Sequence, residues 1–482
     1  MQYFTDIGLE VHVELSTRTK MFCGCPVVDP TVAQPNTAVC PVCLGMPGTL
    51  PVVNKQAVAF AIKAGLALHC QVAERSIFAR KNYFYPDLPK GFQISQYELP
   101  ITYEGWINIH TSQGEKNIRI RRAHLEEDTG KLNHYNNQGE PYSLVDLNRA
   151  GIPLLEIVSE PDMHTIEEVR AYSQELRLLL RYLEITSGDM EKGAMRFEAN
   201  VSMRASEKDA LGTRVEIKNL NSIHAMEKAI AYELDRQQKI LEKGGSILQE
   251  TLGWNETRSE TFSQRSKEEA HDYRYFPEPD LPPLIVEKSW IETIASEIPE
   301  LPGQKRDRYK NELNLPVEKL ESLIQDKSVS IYFDETLKLA EGISANTIAN
   351  WILGDLFSWM NESGCSMYDI KVSPAELVNL IQIHQQNVIN KNSAKEILRE
   401  MLQNGKSAQE IVREKSLEQI TSFDELEKTI SQILQEYPDE VASYHAGKET
   451  LFNWLFGQVM QSTRGKADPQ KVQEILKKAL SK

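Results

Sequence analysis

Proline divides this sequence into two kinds of chain. Eighteen of the 22 prolines lie at or before Pro302, leaving four for the last 180 residues. Proline lacks a backbone donor and biases the residue before it away from helix. The first part must therefore turn often, while the second is free to run as helices. Four prolines fall in YFPEPDLPPL (275–284), which reads as an extended segment closing the first part. A length of 482 residues suggests about two to four domains. The expected division is a first domain over 1–295, a helical domain over 296–405 and a second helical unit over 406–482. The last break rests on Asn404-Gly405.

In the first part, apolar and polar residues alternate in several stretches, the mark of strands. Two helices stand among them. Thr165 and Glu168 read as a capping box. Val169, Tyr172, Leu176, Leu179, Leu180 and Leu183 then mark one apolar stripe. A second helix is expected from about Ile223 to Lys243, stopped at Gly244-Gly245. Strands mixed with a few long helices predict an α+β domain.

Composition excludes several classes. Apolar residues make up 41% of the chain and charged residues 26%, which excludes global disorder. The best membrane candidate, AVAFAIKAGLAL (57–68), is shorter than the roughly 18 residues a span needs and carries Lys63. The opening MQYFTDIGLE lacks the basic-then-apolar layout of a secretory signal. A soluble cytoplasmic protein without a membrane partner is expected. The formal charge, 54 − 69 = −15, argues against a chain that coats nucleic acid through bulk charge. Residues 464–482 differ, with six Lys/Arg and two acids. They read as a solvated basic helix or as an RNA-contacting tail.

The strands carry unusual polar faces. In DIGLEVHVEL (6–15), Ile7, Leu9, Val11, Val13 and Leu15 fall on one side, and Glu10, His12 and Glu14 on the other. RFEANVSMR (196–204) sets Phe197, Ala199, Val201 and Met203 against Arg196, Glu198, Asn200, Ser202 and Arg204. RVEIKNL (214–220) sets Val215 and Ile217 against Arg214, Glu216 and Lys218. A solvated face gives the same alternation in any one strand. Solvated faces tend to be rich in Lys, Glu and Thr, whereas these mix Glu with Arg and Asn. That mixture suits phosphate oxygens and a hard cation.

Other segments add to it. RRAHLEEDTGK (121–131) brings His124, Glu126, Glu127 and Asp128, and 144–162 brings Asp146, Asn148, Arg149 and Glu156. Converging carboxylates need their repulsion relieved, which Mg²⁺ bridging ATP phosphates would do. A surface acidic turn is the plainer reading of Glu126 to Asp128. FARKNYFYPDLPKGFQISQYE (78–98) places Arg80, Lys81 and Lys90 among Tyr83 and Tyr85. That is a pattern for stacking on a base or holding phosphate, or else a packed aromatic loop.

Six cysteines sit at 23, 25, 40, 43, 70 and 365. Cys23-Gly24-Cys25, 14 residues, then Cys40-Pro41-Val42-Cys43 matches a four-thiolate zinc site in a reducing compartment. Four sulfurs fill the zinc shell, so the role would be to clip a loop. A redox pair at CPVC and plain buried thiols are the alternatives. Cys70 and Cys365 read as buried small hydrophobes. The chain has no GxxxxGK[ST], GxGxxG or GxSxG motif and no Ser-rich glycine loop for an amidase nucleophile. Any ATP phosphates must then sit on a sheet face.

These stretches, with CPVCLGMPGTLP (40–51), ARKNYFYPDLPKGFQISQYE (79–98), HLEEDTGK (124–131), LVDLNRAGIPLLEIVSEPD (144–162), VEIKNLNS (215–222) and DYRYFPEPDLPPL (272–284), carry a resemblance. Over essentially the whole chain they closely resemble the B subunits of the aspartyl/glutamyl-tRNA(Asn/Gln) amidotransferases. GKETLFNWLFGQVMQSTRGKADP (447–469) looks like the helical YqeY-type module of those proteins. The archaeal relative carries a large inserted domain for which this chain has no room, which favours the B type.

The resemblance implies an antiparallel-sheet catalytic domain similar to the glutamine synthetase and guanido-kinase fold, followed by all-helical domains. It implies ATP, Mg²⁺ and a structural Zn²⁺ as cofactors. The implied partners are the amidase-type glutaminase (the A component), the small C component and misacylated tRNA. It implies that ATP phosphorylates the side-chain carboxylate of Glu-tRNA(Gln) or Asp-tRNA(Asn), and that ammonia from the glutaminase then displaces phosphate. By motif, Glu10, His12, Glu126, Glu156 and Glu216 would be Mg²⁺ ligands, with Glu127 the close alternative to Glu126. Arg80, Lys81, Arg196, Arg204 and Lys218 would hold phosphate oxygens, and Asn200, Asn219, Tyr83 and Tyr85 would shape the pocket. Cys23, Cys25, Cys40 and Cys43 would hold zinc. The competing readings are a stand-alone ligase amidating a small carboxylate and a non-catalytic component that binds tRNA.

Overall fold

The computed structural model describes residues 3–481 apart from 30, 138–139, 267–272, 416–422, 464–466 and 468. Asp272 of the 272–284 motif lies outside the described residues, as do Arg464, Lys466, Asp468 and Lys482 of the basic terminal segment. The chain forms two compact units, Met1–Lys305 and Arg306–Lys482.

Unit 1 is organised by the alternation of its first strand. β1 (Phe4–Glu14) buries Ile7, Leu9, Val11 and Val13 and turns Glu10, His12 and Glu14 the other way. Each buried side chain contributes about 1.5–3 kcal/mol by leaving water. A slip of one residue would bury the polar set in its place, so the register is strongly specified. In chain order there follow α1 (Lys55–Ala67), β2 (Gln71–Val72), β3 (Arg75–Ser76), β4 (Ala79–Asn82), β5 (Phe92–Ser95), β6 (Thr102–Thr111) and β7 (Gly114–Glu127). The hairpin of β8 (Lys131–Asn137) and β9 (Glu140–Asp146) leads to β10 (Pro153–Ser159), α2 (Ile166–Tyr182), β11 (Met195–Arg204) and β12 (Val215–Leu220). After α3 (Ile223–Glu242) come β13 (Glu250–Asn255), β14 (Glu260–Ser266), β15 (Phe276–Pro277) and β16 (Leu284–Ile285).

Nine strands form one sheet in the order β14-β13-β12-β11-β1-β10-β7-β6-β2. Neighbours run antiparallel except β12 and β13. Parallel neighbours need a crossover, which α3 supplies. The domain is thus α+β with a mainly antiparallel sheet. Side chains of α1, α2 and α3, among them Ile62, Leu176 and Met226, share one core with Ile7, Val11 and Ile217 of the sheet. That core covers one sheet face and leaves the other to the polar residues.

Local signals explain the helix ends. Thr165 caps α2 by accepting from the Glu168 N–H at 3.1 Å. The Glu168 carboxylate reaches one residue further back than a capping box requires, accepting from the His164 N–H at 2.6 Å while its other oxygen meets Lys116 at 2.8 Å. The expected stripe from Val169 to Leu183 is buried. At the end of α3, Gly244 takes φ 75°, a conformation that costs other residues.

Among the described residues, the elements of unit 2 are helices. Lys391–Asn404 ends at Gly405 with φ 75°. Leu426, Ile430, Leu455, Val459, Val472 and Leu476 form a separate core for the last helices. Cys70 is buried as expected, but Cys365 is only half-buried. It follows Gly364, which ends the helix Phe357–Ser363, and so sits outside the helical packing beside Ser363.

Candidate functional site

Polar residues of five adjacent strands meet on the open sheet face. Glu10 of β1 lies opposite Glu198 of β11, and His12 lies between Arg196 of β11 and Glu156 of β10. Glu156 in turn faces His124 of β7, and Glu216 of β12 faces Asn200 of β11. With Lys81, Tyr83, Tyr273 and Tyr275, all of these but Asn200 line a cavity of about 580 Å³. Six carboxylates (Glu10, Glu126, Asp128, Glu156, Glu198, Glu216) and five cations (Lys81, Arg122, Arg196, Arg214, Lys218) face this space.

The acids fall into two groups. One ligand atom each from His12, Glu126 and Glu156 lie within 4.8 Å of one another, and so do those of Glu10, Glu198 and Glu216. His12 Nδ1 is 3.0 Å from Glu126 and its Nε2 is 4.0 Å from Glu198. Burial opposes a charged imidazole, yet the Glu126 hydrogen bond and the charges of Glu156, Glu126 and Glu198 push His12 up to about 9. Burial would raise Glu156, but His124 at 3.4 Å, His12 and Lys81 hold it well below the usual carboxylate range. Lys218 bridges the second group, 2.7 Å from Glu198 and 3.9 Å from Glu216. A donor set of five carboxylates and one imidazole is chemistry for a hard divalent cation.

The corner of the cavity is built by Asp128, which accepts from Arg196 at 2.8 Å and lies 3.4 Å from Arg149. Glu14 shares this corner. Burial and the negative Asp128 raise its carboxyl to about 7 against the two arginines. A carboxyl raised on folding gives stability that is complete below its unfolded value near 4.5 and is lost as pH climbs through about 7. Glu14→Gln should therefore gain in melting temperature relative to wild type as pH rises from 5 to 8. A constant difference across that range would refute the assignment.

Strand alternation separates neighbouring positions of the sequence. Lys81 enters the cavity, 4.8 Å from the Tyr273 ring centre, whereas Arg80 faces away and clamps Glu278 at 2.7 and 2.8 Å. Glu126 enters, whereas Glu127 turns behind the sheet to Lys90 and the Ile94 N–H. Arg204 lies at the far end of β11, bound to Asp6 and to the Glu207 and Asp209 carbonyls. Asn219 sits at a bulge with φ 62° and is exposed, and Tyr85 is 59% exposed on its loop. Asn200 donates to Glu10 at 2.9 Å and lines an adjoining cavity of about 550 Å³.

Glu198, His124, Asp128, Tyr273 and Tyr275 join the cavity lining without having been assigned roles from sequence. The alternation of 196–204 already put Glu198 beside Arg196, so that residue was within reach. The two tyrosines stand in the 272–284 motif, but nothing in its spacing aims them at the strand faces. Their segment is brought in by β15 pairing with β4.

The cysteine quartet stands apart from the cavity. The four sulfurs of Cys23, Cys25, Cys40 and Cys43 lie within 4.8 Å of one another, with Cys40 and Cys43 at 3.9 Å. A tetrahedron with Zn–S near 2.3 Å has sulfurs about 3.8 Å apart. A hydrogen bond from Cys23, the Cys40 N–H and the Lys20 charge pull Cys43 down to about 4 against its burial, which favours the thiolate. Burial and the neighbouring thiols raise Cys25 to about 11. The residues fit a metal of this type.

The chain from residue 5 to 292 matches the GatB/GatE catalytic domain, and residues 331–480 match the GatB domain. It is 48% identical over 480 residues to the aspartyl/glutamyl-tRNA(Asn/Gln) amidotransferase B subunit of Thermodesulfovibrio yellowstonii, covering 100% of both chains. The corresponding B subunits of Persephonella marina and a Thermoanaerobacter species are 47% and 48% identical, again over the full length of both. The chain belongs to the family of aspartyl/glutamyl-tRNA(Asn/Gln) amidotransferase B subunits. No helix among the described residues is long and apolar enough to cross a membrane.

Proposed function

We propose that the chain converts the side-chain carboxylate of misacylated Glu-tRNA(Gln), Asp-tRNA(Asn) or both into the amide, using ATP. The observation that carries this is the acid and base lining of one cavity on an open sheet face. A carboxylate is a poor acyl donor. Its oxygen attacks the γ-phosphorus of ATP, ADP departs, and the oxygen becomes part of a phosphate leaving group. Ammonia then attacks the carbonyl carbon, phosphate leaves and a proton is lost to give the amide. The protein's work is positioning and charge neutralisation.

His12, Glu126 and Glu156, together with Glu10, Glu198 and Glu216, would hold Mg²⁺, which supplies neutralisation of phosphate charge when bound. Lys81, Arg196 and Lys218 stand in the cavity wall, where they would meet phosphate oxygens, and Tyr83, Tyr273 and Tyr275 complete the lining. Cys23, Cys25, Cys40 and Cys43 would hold a structural Zn²⁺. Ammonia comes from the amidase-type glutaminase, the A component, with the small C component completing a cytoplasmic complex.

The test supplies ATP, ammonium and charged tRNA to the complex and follows phosphate release and the amino acid recovered from tRNA. ATP use that depends on misacylated tRNA supports the reading. Free glutamate serving equally well would make the chain a small-molecule ligase, and activity without nucleotide use by this chain would make it an RNA-binding component. The helical tail contacts the outer surface of the tRNA in this reading. Removing the chain from residue 408 onward should weaken tRNA binding and flatten its dependence on salt while ATP still binds. An unchanged salt slope would take the tail out of the interface.

A further inference from the structure

Lys20 is fully buried, at 0% exposure. A buried ammonium is costly unless charge and hydrogen bonds compensate it. Its Nζ lies 3.7 Å from Cys43 Sγ and 3.2 Å from the Leu147 carbonyl oxygen. It therefore joins the cysteine quartet to the segment that follows β9.

That segment is the other half of the link. The quartet's loop docks on it: Asn36 N–H donates to Asp146 at 3.0 Å, Leu147 N–H to Asn36 at 2.8 Å and Ala38 N–H to Asn148 at 2.8 Å. Gly151, next along, is close enough that an added Cβ would touch the Lys20 stem at 3.5 Å. Gly151 N–H donates to the Asp128 carbonyl at 2.8 Å, and the Asp128 N–H to the Ile152 carbonyl at 2.8 Å. Asp128 in turn holds Arg196 in the cavity. A continuous run of short contacts leads from sulfur to the cavity corner.

We infer that Lys20 is a positioning residue that neutralises the metal-bound thiolates and braces segment 145–152, so that the quartet sets the Asp128–Arg196 corner of the cavity. This rests on the zinc reading. A tetrathiolate zinc centre carries two net negative charges, and Lys20 is a buried cation in contact with one of its sulfurs. Loss of the metal would free the Cys43 side chain from its fixed position, and with it the Lys20 contact that braces the segment.

The test uses the full chain in its complex. Stripping metal from the wild type with a chelator should raise amide hydrogen exchange over 145–152 severalfold while α2 is unchanged. In Lys20→Met, which keeps the apolar stem, metal release to a chromogenic chelator should quicken about tenfold or more. Release at the wild-type rate overturns the inference, as does unchanged exchange over 145–152 after stripping. Hydrogen exchange on the stripped wild type decides the matter should Lys20→Met fail to fold. Wild-type protein with no zinc to strip overturns the zinc reading itself, and this inference with it.

Discussion

Glu10→Gln and His12→Ala should each abolish amide formation on tRNA while the complex still assembles. Both side chains stand on the open face of β1, between the core-facing Leu9, Val11 and Val13. Neither change removes an apolar contact from the helix-covered side, so folding and assembly of the complex survive. The chemistry does not. Glu10 is one of three carboxylates converging within 4.8 Å, and His12 converges likewise with Glu126 and Glu156. Loss of one charged group that stabilises a phosphoryl-transfer transition state costs about 10²–10³ in rate. Tritium or mass detection of glutaminyl- or asparaginyl-tRNA, beside size-exclusion of the complex, measures both halves. Near-normal turnover in either variant would overturn the cation assignment.

Cys40→Ser combined with Cys43→Ser should remove the metal and destabilise the zinc loop. Zinc content should fall from about one equivalent to none, because two of the four converging sulfurs are gone. Structural zinc sites bind with an apparent free energy of roughly 10–16 kcal/mol in small peptides. Here the loop 23–43 also has hydrogen bonds to segment 145–148, so part of the order survives and the effect on the melting temperature should be several degrees rather than unfolding. Metal analysis with thermal melting checks both. Zinc retained at the wild-type level would refute the quartet.

The sheet was largely legible because period-two patterning carries its own register. Glu10 and His12 could be placed on one face of β1, and Arg196, Glu198 and Asn200 on one face of β11, before any pairing was known. Pairing between strands far apart in sequence was not legible. Nothing local puts Glu156 opposite His12, or draws Tyr273 to Lys81. Asn219, which the resemblance alone places in the pocket, follows Lys218 at a bulge and is exposed. Arg80 and Lys81 were grouped together by charge, although adjacent strand positions must diverge.

Alternation along β4 and β7 gives each strand two unlike duties at consecutive positions. Arg80 fastens the Glu278 turn while Lys81 serves the cavity, and Glu127 fastens Lys90 while Glu126 serves the cavity. A single-codon insertion or deletion ahead of either pair would exchange the two duties at once. Such strands can drift by substitution at one position, but they have almost no freedom to change length.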